Sequence, residues 1–140
     1  MVDSMSKLQD LRSRLTCPAQ TILVVDDERM VRELVCRILR LRGYWVLEAD
    51  RGVEALRIVQ EYPDAIHLLL TDILMPDMNG PALAEQVQAL RPRTKVLYMS
   101  GYPGGTSIPH LGSKTGPAFI QKPFVPDALV YRVREVLGAA

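Results

Sequence analysis

An alternation of short apolar runs and amphipathic segments recurs along this chain, and it leaves few folds open. Thr21-Ile-Leu-Val-Val25 is rich in β-branched residues and ends abruptly at the carboxylate pair Asp26-Asp27, as a buried strand does where it reaches a polar site. From Glu28 onward Val31, Leu34, Val35, Ile38 and Leu41 recur at helical spacing, and Gly43 supplies a stop. The cycle then repeats. Tyr44 to Leu47 reads as a strand, Val53, Leu56 and Val59 as the inner stripe of a helix, and Pro63 as its terminator. Leu68-Leu69-Leu70 and its flanks form strand three, which ends at Asp72. After the turn-rich stretch Pro76 to Gly80, Pro81 suits a first helical position, with Leu83, Val87 and Leu90 facing inward and Pro92 ending the run. Lys95 to Met99 is strand four and Phe119-Ile120 marks a short strand five. Pro126 opens a last helix with Leu129, Val133 and Leu137 on one face.

The expected fold is therefore α/β, a (βα)5 unit. Strands that are apolar throughout, set between amphipathic helices, indicate a five-stranded parallel sheet covered on both faces, with right-handed crossovers. Ligands in such doubly wound sheets bind beyond the carboxyl ends of the strands. Two stretches fit the scheme poorly. Between Ser100 and Pro117, where a fourth helix is due, stand Gly101, Pro103, Gly104, Gly105, Pro109, Gly112 and Gly116, so that helix is expected to be short or irregular, one or two turns at Ile108 to Ser113. Residues 1–19 read as a leader or linker, partly helical if Leu8, Leu11 and Leu15 form one stripe, and residues 20–140 as the folded domain.

A chain of 140 residues is long enough for one such core without disulfides. Its 17 basic and 16 acidic residues leave a formal net charge of +1 and no basic run, which argues against direct nucleic-acid binding. No apolar stretch approaches the ~18 to 20 residues that span a bilayer and no signal-peptide block is evident, so the expected compartment is the cytoplasm. Cys17 and Cys36 lack a CxxC pattern, and Cys36 reads as a small buried apolar group. Trp45 and the methionines read as packing residues. His67 opens a strand and His110 lies in a loop, which makes both poor candidates for phosphotransfer.

The functional signal is convergence. Asp26, Asp27, Asp72, Ser100 and Lys122 all fall at the carboxyl ends of strands, where a parallel sheet gathers them. Taken singly, the acids would serve equally as helix caps or turn residues, and Ser100-Gly101 as a loop entrance. Taken together, three carboxylates within about 4 Å of one another would repel by roughly 4 kcal/mol per pair at an effective dielectric near 20. One lysine does not offset that, whereas a divalent cation does. Oxygen-only ligands suit Mg²⁺. A site of this kind polarises a phosphoryl group for in-line attack by a carboxylate, with Lys122 neutralising phosphoryl oxygens and the Ser100 hydroxyl hydrogen-bonding one of them.

With these residues in view, Asp-Asp-Glu after strand one, Asp-Ile-Leu-Met-Pro-Asp-Met-Asn-Gly after strand three, Ser-Gly-Tyr after strand four and Gln-Lys-Pro-Phe after strand five resemble the response-regulator receiver family over residues 20–138. The resemblance implies the flavodoxin-like strand order 2-1-3-4-5, an order the family shares with a known receiver protein. It implies that Asp72 is the phosphoacceptor, that Asp27, Asp72 and the Leu74 main-chain carbonyl bind Mg²⁺, and that Asp26 acts through a bound water. Ser100 and Lys122 match the contacts to the phosphoryl group, Phe119 matches the switching aromatic, and Lys122-Pro123 matches a cis peptide. The implied partners are a histidine kinase or a histidine phosphotransfer domain. The motifs around Ser100 and Lys122 are most similar to receivers at the C-terminus of hybrid sensor histidine kinases, so the chain is expected to be a signalling module of a two-component phosphorelay and not an enzyme. The competing readings are a phosphatase-type enzyme with an aspartyl-phosphate intermediate and a receiver-like interaction module that takes no phosphate. The first needs an Asp-x-Asp motif after strand one, where this chain has adjacent acids.

Overall fold

The computed structural model describes residues 19–101 and 117–138. The leader stripe, Cys17, His110 and the irregular stretch from Tyr102 to Gly116 lie outside the described residues. In chain order the elements are β1 Thr21–Val25, α1 Arg29–Leu41, β2 Trp45–Ala49, α2 Gly52–Glu61, β3 Leu68–Asp72, α3 Gly80–Leu90, β4 Lys95–Ser100, β5 Ala118–Gln121 and α4 Pro126–Gly138. The strands form one five-stranded sheet in the order β2-β1-β3-β4-β5, with every pairing parallel. This is the order the motif resemblance implied.

Why the strands are apolar throughout is visible in the two faces. On β1, Ile22 and Val24 point to one side, where they join Val35, Leu39, Leu129 and Val133 from α1 and α4. Leu23 and Val25 point to the other, where they join Ala55, Val59, Leu83 and Val87 from α2 and α3. Successive strand residues face opposite sides, so the inner strands of a sheet covered twice need apolar residues at nearly every position.

The helix stops follow local chemistry. Gly43 takes φ 93°, and its N–H donates to the Arg40 carbonyl while that of Tyr44 reaches back to Leu39, a left-handed glycine closure that satisfies the last carbonyls of α1. α3 starts behind Asn79, whose side chain accepts from the Ala82 N–H at 2.8 Å, with Pro81 in the first turn.

Several apolar residues expected inside are outside. In α1 the buried stripe is Val35, Cys36, Ile38 and Leu39, and Leu34 and Leu41 lie off it, with Leu41 77% exposed. Val53 stands exposed in the first turn of α2 and Leu90 at the end of α3. Trp45 opens the edge strand β2 and is 58% exposed, so it is not a core residue. Cys36 is buried as expected, and burial pushes its thiol up to about 11. His67 is used at the amino end of the sheet, where its Nδ1 accepts from the Thr21 N–H at 2.9 Å.

Candidate functional site

The sheet register decides which side chains meet. Val25 is level with Thr71, Asp72 with Met99 and Ser100 with Gln121, so the residues that end or follow β1, β3, β4 and β5 share one rim. Asp26 follows β1 and is fully buried, Asp27 beside it is exposed, and Asp72 ends β3 in a buried position. Each of these carboxylates offers an oxygen within 4.8 Å of the others. Lys122 comes in from beyond β5 with Nζ 2.8 Å from Asp26 Oδ2, 3.4 Å from Asp72 Oδ2 and 3.8 Å from Glu28 Oε1. Its own N–H donates to the Ser100 carbonyl at 2.8 Å, which pins the lysine segment to the end of β4. The Lys122-Pro123 peptide is cis, as the motif resemblance implied.

The two central groups respond differently to this setting. Burial pushes the Asp72 carboxyl up to about 6; Lys122 pulls it back, and Asp26 and Asp27 push it further up. For Lys122 burial acts to lower the ammonium's pKa, but the hydrogen bond to Asp26 and the charges of Asp26, Asp72 and Glu28 outweigh it and hold it above its ordinary value. The lysine therefore stays charged while the Asp72 carboxylate is held in a setting that disfavours its charge.

The donor set fits a hard divalent cation. All of its ligand atoms are oxygens, and three carboxylates against one lysine leave an excess of negative charge. Asp26 is the most committed of the three, because Oδ1 accepts from the Glu28 N–H at 2.9 Å and Oδ2 from Lys122. Asp72 pairs with the same lysine through Oδ2 at the longer distance of 3.4 Å, and Asp27 is exposed.

Of the other residues singled out, Ser100 is buried at the end of β4. Leu74 lies two residues beyond Asp72 in the loop to α3, with an exposed side chain. Phe119 is partly buried against the cluster on the α2 and α3 side, and its carbonyl accepts from Arg132 Nε at 3.1 Å. It stands on β5, the strand that leads to Lys122, and β4 separates it from Asp72 on β3.

Three residues near the rim carried no assigned role in the sequence. Glu28 joins the field around Lys122. Gly80 permits close approach, since a Cβ there would stand 2.6 Å from the Asp72 carbonyl oxygen. Asp77 accepts from the N–H groups of Gly52 and Val53 at 3.1 and 2.9 Å. A glycine soon after a strand-end acid was the available signal for Gly80, but no local pattern pointed to the partner of Asp77.

The family described as the response regulator receiver domain matches residues 22–134. The sensor kinase CckA of Brucella abortus is 37% identical over 117 residues, 84% of this chain but only 12% of that kinase. The response regulator receiver protein CpdR of the same organism is 32% identical over 119 residues, covering 85% of this chain and 98% of that protein. Among solved structures, the receiver domain from the hybrid histidine kinase CckA superposes with a TM-score of 0.71 at 38% identity, covering 84% of this chain and 98% of that one.

Proposed function

Because this chain belongs to the response regulator receiver domain family, we propose that Asp72 accepts a phosphoryl group from a phosphohistidine on a histidine kinase or histidine phosphotransfer domain. The observation that carries this reading is the rim itself, three carboxylates within 4.8 Å and a lysine ammonium 3.4 Å from the proposed acceptor. A phosphohistidine donor is also what a relative such as a sensor kinase with its own receiver region would present.

Asp27, Asp72 and the Leu74 carbonyl would hold Mg²⁺, with Asp26 acting through a water. When bound, the ion supplies neutralising charge to the nucleophile and to the phosphoryl oxygens. An Asp72 oxygen attacks phosphorus in line, the phosphorus–nitrogen bond breaks, and its electron pair leaves with the imidazole. Lys122 pairs with one phosphoryl oxygen from the position it already occupies beside Asp72. The Ser100 hydroxyl donates to another, drawing the end of β4 toward the site, and Phe119 turns inward, shifting an equilibrium that exists before phosphorylation.

In this reading the chain is a signalling module rather than a catalyst that turns over, and it acts in the cytoplasm with its kinase. No helix among the described residues is long and apolar enough to cross a membrane. Incubation with a small phosphodonor and Mg²⁺, followed by intact-mass measurement, should give about one phosphoryl adduct per chain and none in Asp72→Asn. Sustained release of phosphate over many equivalents would instead indicate an enzyme, and no adduct under any condition an interaction module.

A further inference from the structure

The helix α2 begins without a cap of its own. Its N-cap residue is Arg51, which makes no side-chain capping bond, although the first N–H groups of any helix need acceptors. The acceptor comes from elsewhere in the chain. Asp77, twenty-five residues after Gly52, turns one carboxylate oxygen to the Gly52 N–H and the other to the Val53 N–H. Burial alone would raise the Asp77 carboxyl, but those two N–H groups, with those of Asp77 and Met78, outweigh it and hold the carboxyl below its ordinary range.

Asp77 sits in the middle of the loop that carries Leu74. The ends of that loop are fixed by backbone bonds, Ile73 N–H to Met99 at 3.1 Å and Gly80 N–H to Ile73 at 2.7 Å. Its middle is fixed to α2. Besides the Asp77 bonds, the Met78 side chain fills the space that Gly52 leaves, since a Cβ there would stand 2.4 Å from Met78 Cγ. The loop is therefore attached at its two ends, at Met75, whose sulfur accepts from the Thr71 hydroxyl at 4.0 Å and which packs on the α2 and α3 side, and at Asp77, a carboxylate at a helix N-terminus, an arrangement favoured by both hydrogen bonding and the helix dipole.

We infer that Asp77 is a positioning residue for the metal and phosphoacceptor site, capping α2 across the chain and thereby holding the Leu74 carbonyl in line with Asp27 and Asp72. The inference rests on the proposed Mg²⁺ and phosphoacceptor reading. Groups that orient ligands without touching the metal are worth about tenfold or more in metal affinity, and a main-chain ligand on a loop has no other means of being oriented than the loop's own anchors.

The test is calorimetric Mg²⁺ titration of the full chain at physiological ionic strength, with Asp77→Ala, Asp77→Asn and Arg91→Ala compared to wild type. Asp77→Ala should bind Mg²⁺ about tenfold more weakly. Asp77→Asn, which loses the charge but keeps an acceptor oxygen, should lie nearer wild type than Asp77→Ala does. Arg91→Ala, destabilised at the far end of the sheet, should bind as wild type. Equal weakening in the Ala and Asn variants would reduce the effect to lost charge and overturn the inference. So would wild-type affinity in Asp77→Ala, or equal weakening in Arg91→Ala, which would mark a general loss of stability. Should Asp77→Ala fail to fold, the Gly52 and Val53 amide resonances of the wild type decide. Shifts that track Mg²⁺ saturation support the inference and their absence overturns it. A wild-type chain that binds no Mg²⁺ would remove the phosphoacceptor reading as well, which separates that failure from this one.

Discussion

The two ends of the sheet are built on opposite plans. At the amino end the charged and polar groups are answered by backbone. The Arg91 guanidinium donates to the carbonyls of Val59, Tyr62 and Asp64, tying the end of α3 to the end of α2, and the buried Thr94 hydroxyl donates to Ile66 at 2.7 Å. At the carboxyl end Asp26, Asp27 and Asp72 face one lysine, and burial pushes Asp72 up to about 6. One end supplies stability, and the other gives some of it up to keep a charged, ligand-ready rim. The same parallel topology serves both, because it puts all the strand starts at one end and all the strand ends at the other.

The sharpest way to break the contrast is to cut the amino-end tie. Arg91→Ala leaves three carbonyls without their charged donor and should cost about 3 kcal/mol of stability in urea unfolding, with phosphorylation of the folded fraction unchanged. A loss well under 1 kcal/mol would mean that water replaces the guanidinium and that this end is not the stable one.

Removing the cation at the other end should act in the opposite sense on ligand binding. Lys122→Ala takes away an ammonium 3.4 Å from Asp72, so Mg²⁺ affinity should rise by about tenfold, or ~1.4 kcal/mol, while conformational coupling to phosphorylation weakens. Weaker Mg²⁺ binding in this variant would show that the lysine organises the carboxylates rather than competing for them. The smallest effect is expected at Asn79, which caps α3. Asn79→Ala should cost about 1 kcal/mol by chemical denaturation, and a larger loss would extend the fragile region from the rim into α3.

How much of this was legible in the sequence depends on whether the signal was local. Each strand announces itself as an apolar run broken by a polar residue, and Asp26, Asp72, Ser100 and Lys122 stand at those breaks, so the rim follows from the topology once the strands are counted. The irregular helix and the leader stripe lie outside the described residues. Leu34, Leu41, Val53 and Leu90, expected on inward stripes, are exposed because hydrophobicity at helical spacing does not say which neighbours cover it, and Trp45, read as a packing residue, is exposed on the edge strand β2. The cap that Asp77 provides and the tie that Arg91 provides were invisible for a different reason. Their partners lie 24 to 32 residues away, and a side chain bonding to distant backbone leaves no periodic trace.

The central claim is that the carboxyl end holds back stability that a cation restores, and unfolding of wild type and Asp72→Asn with and without Mg²⁺ tests it most directly. The sign follows from the raised folded-state value of Asp72, about 6 against an ordinary 3.8. A carboxyl that binds its proton more tightly when folded favours the folded state below the unfolded value and loses that contribution as pH rises through about 6. Metal-free at neutral pH, Asp72→Asn should therefore be more stable than wild type by about 1 to 3 kcal/mol, and the difference should vanish as pH falls toward about 4. Saturating Mg²⁺ should then stabilise wild type by more than it stabilises Asp72→Asn, closing or reversing the gap at neutral pH. Wild type more stable than Asp72→Asn without metal, or equal stabilisation of the two by Mg²⁺, would contradict the account.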